Sequence, residues 1–397
     1  MKRSFAVLLD FNSLDHFIQV HKELLLYLSK RLKKIYFINI PNNNFVFRKN
    51  KIIDKKKFVL LNPKSLEEFE DIIRNKNFLV KNSIATGLEF FKVLRIIKKY
   101  NVPQIMISNI GFLPDSVLVS KNEIIKSFFN YFRRKIIHRF YIFLATINLM
   151  PKIDLRFVSS KLQKKYFEQN KKKLINKLLF NQHFSQYKEL MLVNSRAYDI
   201  FKKKRYKNDK KKTVLLDIEA DHYVNMVLDG KVIKKNKKSF YKKLNYFLNW
   251  YEKKLNTKIT ICTHPAYNLK ERKNVFKKYK VVQGKTKEYI QRCSSVLLFH
   301  SSAVTEAFFL KKNIINLETK MLGKHWERCS NLYPKYAGIM KINIDNKNFY
   351  TNLNLNKLIN KKNEKYFSFR NNFLIPDGNK SGFKKIYETI KSRYSVI

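Results

Sequence analysis

The sequence predicts an α/β protein made of two successive parallel-sheet domains. Three observations carry this reading. Short apolar runs of strand length alternate with longer segments of helical period. The alternation starts afresh after a lysine-rich stretch at 201–212, FKKKRYKNDKKK, where apolar content collapses. The 397 residues, 45% hydrophobic with 33 Phe and 22 Tyr, suffice for two packed cores. The expected organisation is a first α/β domain over 1–200, a basic linker over 201–212, and a second α/β domain with a helical tail over 213–397.

In the first domain, 4–10 (SFAVLLD) reads as a strand, 14–32 as a helix and 34–40 (KIYFINI) as the next strand. This β-α-β opening is typical of a parallel sheet. Strands follow at 58–61, 78–85, 103–107, 155–159 and 190–194. Helices are expected at 65–74, where Ser65 is placed to cap, and at 88–100. Residues 121–150 are basic and aromatic, with Arg133, Arg134, Lys135 and Arg139 set among large apolar side chains. They read either as an amphipathic helix on an anionic membrane surface or as a core helix with one solvated basic face.

In the second domain, strands are expected at 213–217, 258–263, 281–282, 295–299 and 313–317. Helices are expected at 238–255, 274–279, 286–293 and 303–310. The remainder reads as polar and helical, ending in a helix over 383–394.

Composition narrows the function classes. The formal charge is +53, from 83 Lys and Arg against 30 Asp and Glu. Such a balance suits anionic partners, but no zinc-finger spacing or RNP-type aromatic motif accompanies it, so nucleic acid is not the expected partner. Lysine is spread along the whole chain together with Asn, Ile, Phe and Tyr, which points to compositional drift plus a preference for anionic surfaces. Three cysteines without CxxC spacing suit a reducing compartment and carry no metal signature. The opening residues read as a strand and not as a signal peptide, and no apolar run approaches the length of a membrane span. The expected location is cytoplasmic, with peripheral attachment at the inner membrane if 121–150 meets lipid.

Three polar clusters follow predicted strands of the second domain, and carboxyl ends of strands are where such sheets bind ligands. The first is Thr263-His264-Pro265. Proline keeps the preceding residue extended, which presents the His264 imidazole at the strand end. There it can donate to a phosphate or act as an acid toward a leaving phosphate; the alternative is a structural histidine. The second is His300-Ser301-Ser302. Hydroxyls together with free amides of the following helix make an anion cradle without glycine. Glu306 falls one turn further on, placed for a ribose hydroxyl or a lysine; the alternative is that the serines cap the helix and Glu306 steadies its first turn. The third is Asp217, Glu219, Asp221 and His222, where one carboxylate can serve as a general base or the group can balance local lysines. In the first domain, Asp10, Asn12, Ser13 and His16 follow one strand, and Ser108, Asn109 and Gly111 follow another. No DxD, P-loop or GxGxxG motif is present.

These residues resemble bacterial transferases of the GT-B type that make surface polysaccharides. His264-Pro265 and Ser301-Ser302 look like the HP and SS motifs of bacterial sialyltransferases and polysialyltransferases. Residues 215–222, LLDIEADH, are similar to an LD-E---H segment of surface-carbohydrate biosynthesis proteins. CDP-glycerol glycerophosphotransferases also use an HP histidine and a later serine pair. The resemblance covers residues 213–319. It departs from the polysialyltransferases in lacking their acidic D/E-D/E-G motif, for which Glu219-Ala220-Asp221 is a loose stand-in.

The resemblance implies two Rossmann-like domains, GT-B-like, with a cleft between them. It implies a nucleotide-sugar donor, a CMP-sugar of the sialic acid or Kdo kind, held by His264, Pro265, His300, Ser301, Ser302 and Glu306. His264 would also serve catalysis, and the base would be Asp217, Glu219 or Asp221. The acceptor would be a glycan or glycolipid on the side of Asp10, Asn12, Ser108 and Asn109, in capsule or lipooligosaccharide synthesis. The donor is a substrate, so no cofactor is expected, and no metal. Three alternatives stay open: a CDP-glycerol-type phosphotransferase, a UDP-sugar epimerase on the same fold, and a non-enzymatic basic protein binding polyanions or membrane.

Overall fold

The computed structural model describes residues 2–9, 14–41, 56–83, 90–108, 144, 149–172, 187–202, 209–218, 223–264, 267–355 and 363–397. They form two compact units. The first takes the described residues of 1–109, 124–199 and 375–397, and the second those of 200–374.

In the first unit the strands are β1 (Ser4–Leu8), β2 (Ile35–Ile38), β3 (Phe58–Leu61), β4 (Phe78–Asn82), β5 (Gln104–Ser108), β6 (Ile153–Val158) and β7 (Tyr187–Leu192). They form one parallel sheet in the order β3-β2-β1-β4-β5-β6-β7. Its helices are α1 (Leu14–Ser29), α2 (Leu66–Asn75), α3 (Phe91–Lys99) and α4 (Lys161–Lys172). A further short helix, α5 (Arg196–Phe201), runs to the start of the second unit.

Period-two alternation sorts β1 between two cores. Phe5 and Val7 pack with Leu24, Leu25 and Leu28 of α1. Ala6 and Leu8 pack with Phe69 of α2 and Leu94 of α3 on the other face. The Ser65 hydroxyl accepts from the Glu68 amide at 3.2 Å, the cap that the sequence predicts for α2. Leu144 and Met150 are buried in the second of these cores. The rest of the basic aromatic segment 121–150, apart from exposed Leu149, lies outside the described residues. No helix of the described residues is long and apolar enough to cross a membrane.

The second unit has strands β8 (Asp209–Leu216), β9 (Lys258–Thr263), β10 (Lys280–Gln283), β11 (Cys293–Leu298), β12 (Asn313–Glu318) and β13 (Met340–Asn343). They form a parallel sheet in the order β10-β9-β8-β11-β12-β13. Its helices are α6 (Tyr223–Leu255), α7 (Leu269–Val275), α8 (Thr286–Arg292), α9 (Val304–Phe309), α10 (Lys324–Ser330), α11 (Leu332–Ala337), α12 (Lys347–Thr351) and α13 (Glu364–Phe373). Helix α6 lays Phe240, Leu244, Phe247, Leu248 and Tyr251 on Leu215, Ile261, Leu297 and Ile315 of the sheet. The last helix, α14 (Gly382–Tyr394), packs Phe383, Ile386 and Ile390 into the α1-side core of the first unit.

Four sequence expectations are corrected. Residues 375–397 belong to the first unit and not to a domain spanning 213–397. Asn194 holds this return: its amide nitrogen donates to the carbonyls of Gly378 at 2.6 Å and Lys380 at 2.7 Å. Asp199 accepts from the Ser381 hydroxyl at 2.6 Å and the Phe383 amide at 3.0 Å. Such long-range polar ties leave no periodic trace in a sequence. The expected linker over 201–212 is shorter, because β8 already begins at Asp209 and takes Lys210, Lys211 and Lys212 into the strand. The helix expected at 274–279 runs instead over Leu269–Val275, where the Asn268 side chain caps it. Finally, the polar tail contains β13, a four-residue edge strand too short to show alternation.

Candidate functional site

The sheet register sets the site. Leu216 of β8 pairs with Cys262 of β9 on one side and Leu298 of β11 on the other. The residues that follow therefore leave the sheet abreast: Asp217 beside Thr263 and Phe299, then Ile218 beside His264 and His300. Strands β9 and β11 flank β8, so their ends stand about 10 Å apart. From β8 the chain order runs outward through β9 and β10 on one side and through β11, β12 and β13 on the other. The reversal between β8 and β11 is the topological switch point, and open α/β sheets bind ligands at the carboxyl ends beside it. His264, His300, Ser301 and Ser302, far apart in sequence, are gathered there.

Each segment is held by named contacts. After His264 the chain turns, with the Tyr267 amide donating to the His264 carbonyl at 3.1 Å. The Gln283 side chain, at the end of β10, donates to the carbonyls of His264 at 3.0 Å and Tyr267 at 2.9 Å. The Tyr267 hydroxyl reaches back to the Ile218 carbonyl at 3.4 Å. The exit of β8 and the histidine turn are thus tied together. On the other side, the His300 ring stacks on Tyr333 of α11 at 5.6 Å between centroids and 26° between planes. The same tyrosine donates its hydroxyl to the Ser301 carbonyl at 3.1 Å. Burial raises the Tyr333 phenol well above its ordinary value, so it stays a donor. Trp326 meets His300 edge-on at 6.4 Å.

Asp217 is not placed as a base. Its carboxylate accepts from the Thr263 hydroxyl at 3.3 Å and lies 3.8 Å from Arg272 Nε, and both ionic side chains are 1% exposed. Arg272, on α7, also donates to the Tyr241 hydroxyl and lies over the Tyr267 ring at 4.1 Å. A carboxylate engaged this way positions neighbours and has no face for an acceptor hydroxyl. Glu219, Asp221 and His222, and Pro265 of the histidine turn, lie outside the described residues.

The expected cradle of free helix amides is also corrected. The Ala303 amide donates to the Ser301 hydroxyl oxygen at 3.3 Å. The amides of Val304, Thr305 and Glu306 donate to the carbonyls of Ser301, Ser302 and Ala303 at 3.2, 3.3 and 3.2 Å. Tight i to i+3 turns take these donors as α9 begins. Ser302 is exposed and Ser301 half-buried, so the side chains are what the loop presents. Glu306 is 1% exposed, and a ligand meets its carboxylate only if the covering side chains move.

In the first unit, Ser108 ends β5 and its hydroxyl accepts from Arg156 at 3.4 Å. Burial lowers Arg156 to about 10, and its guanidinium lies over the Phe167 ring at 4.3 Å. Asp10, Asn12, Ser13, Asn109 and Gly111 lie outside the described residues, as does the side chain of His16. Among the described residues, no group of three or more His, Cys, Asp or Glu is placed to hold a metal ion.

Tyr267, Arg272, Gln283, Trp326 and Tyr333, which brace the histidines and serines, carry no signal in the sequence. Arg272 sits in LKERK, where nothing separates it from solvated lysines. Tyr333 lies 32 residues after Ser301, and only its packing against His300, Phe308 and Phe369 brings it close.

No family model matches the chain, and no curated protein matches its sequence. Solved structures do match, over nearly its whole length. CalG4, the calicheamicin glycosyltransferase, aligns at a TM-score of 0.55 with 9% identity over 99% of both chains. A putative UDP-N-acetylglucosamine 2-epimerase from Listeria monocytogenes aligns at 0.55 with 11% identity, over 99% of this chain and 97% of the other. The S. aureus MnaA–UDP co-structure aligns at 0.54 with 14% identity, over 100% and 98%. The chain has the GT-B fold. Its two Rossmann-like sheets of seven and six strands are those of that architecture, as the sequence predicts. At these identities the GT-B likeness speaks for the fold alone.

Proposed function

We propose that this GT-B chain is a glycosyltransferase that takes its sugar from a nucleotide-activated donor bound at the β8/β11 switch point. The observation that carries the reading is the register itself, which sets His264 and His300-Ser301-Ser302 abreast at the ends of β9 and β11. An anion lying between these two strand ends, whose backbones stand about 10 Å apart, is met from both sides. In the proposed step the acceptor hydroxyl attacks the anomeric carbon, the bond to the nucleotide oxygen breaks, and the nucleotide leaves as its phosphate. His264 donates to that phosphate, and the Ser301 and Ser302 hydroxyls bear the charge that develops on it. Preorganised donors at developing charge lower barriers by about 3 kcal/mol each. Glu219 or Asp221 takes the acceptor proton, and no metal enters the step.

For the donor we propose a CMP-sugar of the sialic acid or Kdo kind, supported by the HP and SS pairs. The acceptor is then a glycan or glycolipid of a surface polysaccharide, handled at the cytoplasmic face of the membrane. A second reading, epimerisation of a UDP-sugar, is favoured by the likeness to the Listeria protein and to the UDP-bound S. aureus structure.

Calorimetric titration with CMP, CDP, UDP and GDP tests the site, on the wild type, His264→Ala and the double variant Ser301→Ala/Ser302→Ala. Selective binding of CMP, lost in the variants, supports the CMP-sugar donor. Selective binding of UDP moves the donor to UDP-sugars, and interconversion of UDP-N-acetylglucosamine without acceptor would then establish the epimerase. Equal, weak and salt-sensitive binding of all four, unchanged in the variants, rejects the site.

A further inference from the structure

At the opposite end of the second sheet lies a cavity of about 880 Å³ that the switch-point site does not use. Its walls come from the middle of β8, the amino half of β9, the starts of β10 and β11, the last turn of α6, and α8. Lys258 on its rim and His264 are separated by about 20 Å of extended chain, so the two sites are distinct.

The lining is far more cationic than the chain at large. Seven of its seventeen residues are Lys or Arg, against 83 of 397 overall, so general lysine richness does not account for it. Two of the seven are neutralised, Lys212 by Asp209 at 2.8 Å and Lys278 by Glu252 at 3.1 Å, and Glu288 is the lining's other carboxylate, leaving an excess of positive charge. Glu252 is further engaged by the Ile259 amide at 3.0 Å. Lys253, Lys258, Lys280, Lys285 and Arg292 are all exposed and make no ion pair among the described residues. Lys258 and Lys280 open the neighbouring strands β9 and β10, and Lys280 Nζ lies 5.6 Å from the centre of the Tyr289 ring. Lys253 in the last turn of α6 has a local reason, because cations complement a helix carboxyl end. Arg292 closes α8 and shares it; Lys258, Lys280 and Lys285 do not.

Several like charges around one concavity repel each other and focus a positive field into it. Ammonium groups meet phosphate as point charges, and a cavity of this volume suits a discrete ligand. A flat anionic membrane does not enter a concavity, whereas a small molecule carrying two or more phosphates does. We propose that this cavity is a second binding site, specific for an oligophosphate and independent of the nucleotide site.

The test is calorimetric titration of the full chain with inorganic tripolyphosphate at fixed ionic strength. Saturable one-to-one binding is expected. Lys258→Glu with Lys280→Glu should weaken it at least tenfold, and Lys258→Gln with Lys280→Gln should weaken it less. Both positions are exposed, so cooperative melting of these variants is expected to be preserved. Nucleotide binding should be unchanged in both, and neither CMP nor UDP should displace tripolyphosphate. Equal affinity in wild type and variants overturns the proposal, as does displacement by nucleotide. So does sulfate binding of the same strength. Lysine-dependent sedimentation with phosphatidylglycerol vesicles, without saturable tripolyphosphate binding, also overturns it in favour of a surface contact.

Discussion

Arg272 Nε lies 3.8 Å from the Asp217 carboxylate, with both side chains 1% exposed. Removing one partner leaves a charge buried without its counter-ion. Asp217→Ala or Arg272→Ala should each destabilise the second unit by about 3–5 kcal/mol. The double replacement should cost less than the sum of the two, because neither charge is then left behind. Urea denaturation of the four proteins checks the coupling. If Asp217→Ala abolishes sugar transfer while leaving the urea midpoint in place, Asp217 is a base after all.

The stacking of Tyr333 on His300 separates positioning from contact. Tyr333→Phe keeps the ring and removes the donor to the Ser301 carbonyl, at an expected cost of about 1 kcal/mol. Tyr333→Ala removes the ring as well and should cost about 3–5 kcal/mol. If the ring orients His300, Tyr333→Ala weakens nucleotide binding and Tyr333→Phe largely spares it. Thermal melts with and without nucleotide read both effects.

Gly382 opens α14 where the chain passes close to Asn194. A Cβ built there stands 2.4 Å from the Asn194 carbonyl oxygen and 3.0 Å from Asp199 Oδ2. Backbone has nowhere to give, so Gly382→Ala should loosen the return of residues 375–397. Loss of at least about 1–3 kcal/mol is expected, in the range for overpacking. Faster hydrogen exchange in α14 is the direct readout.

Alkaline stability follows from buried phenols. Desolvation pushes Tyr187 and Tyr394 up to about 12 and the Cys293 thiol up to about 12. In the unfolded chain the thiol ionises near 9 and the phenols near 10. Below those values the groups are neutral in both states and add no pH dependence. As pH rises toward 12 the unfolded chain releases protons that the folded chain keeps, so stability falls. Denaturant midpoints at pH 8, 10 and 11 are expected to decline, and the double variant Tyr187→Phe/Tyr394→Phe to decline less.

Much of the candidate site was legible. Thr263-His264 and His300-Ser301-Ser302 announce themselves as polar ends of apolar runs, and the register does bring them abreast. What misled was chemistry that depends on burial. Asp217 reads in sequence as one of several carboxylates after a strand, and only Arg272, arriving on α7, turns it into half of an ion pair. Free amides after Ser302 were expected from a regular helix start, whereas the chain closes tight turns there.

By itself the sequence determined the two parallel sheets, because hydrophobic period depends only on local spacing: Ser4–Leu8, Phe58–Leu61 and Lys258–Thr263 are apolar runs of strand length whatever surrounds them. Tertiary structure alone decided three things: that residues 375–397 return to the first unit, that Tyr333 lies against His300, and that lysines of β9 and β10 and Arg292 of α8 ring one cavity. Each rests on contacts between segments distant in the chain, and such contacts leave no mark in the spacing of the residues that make them.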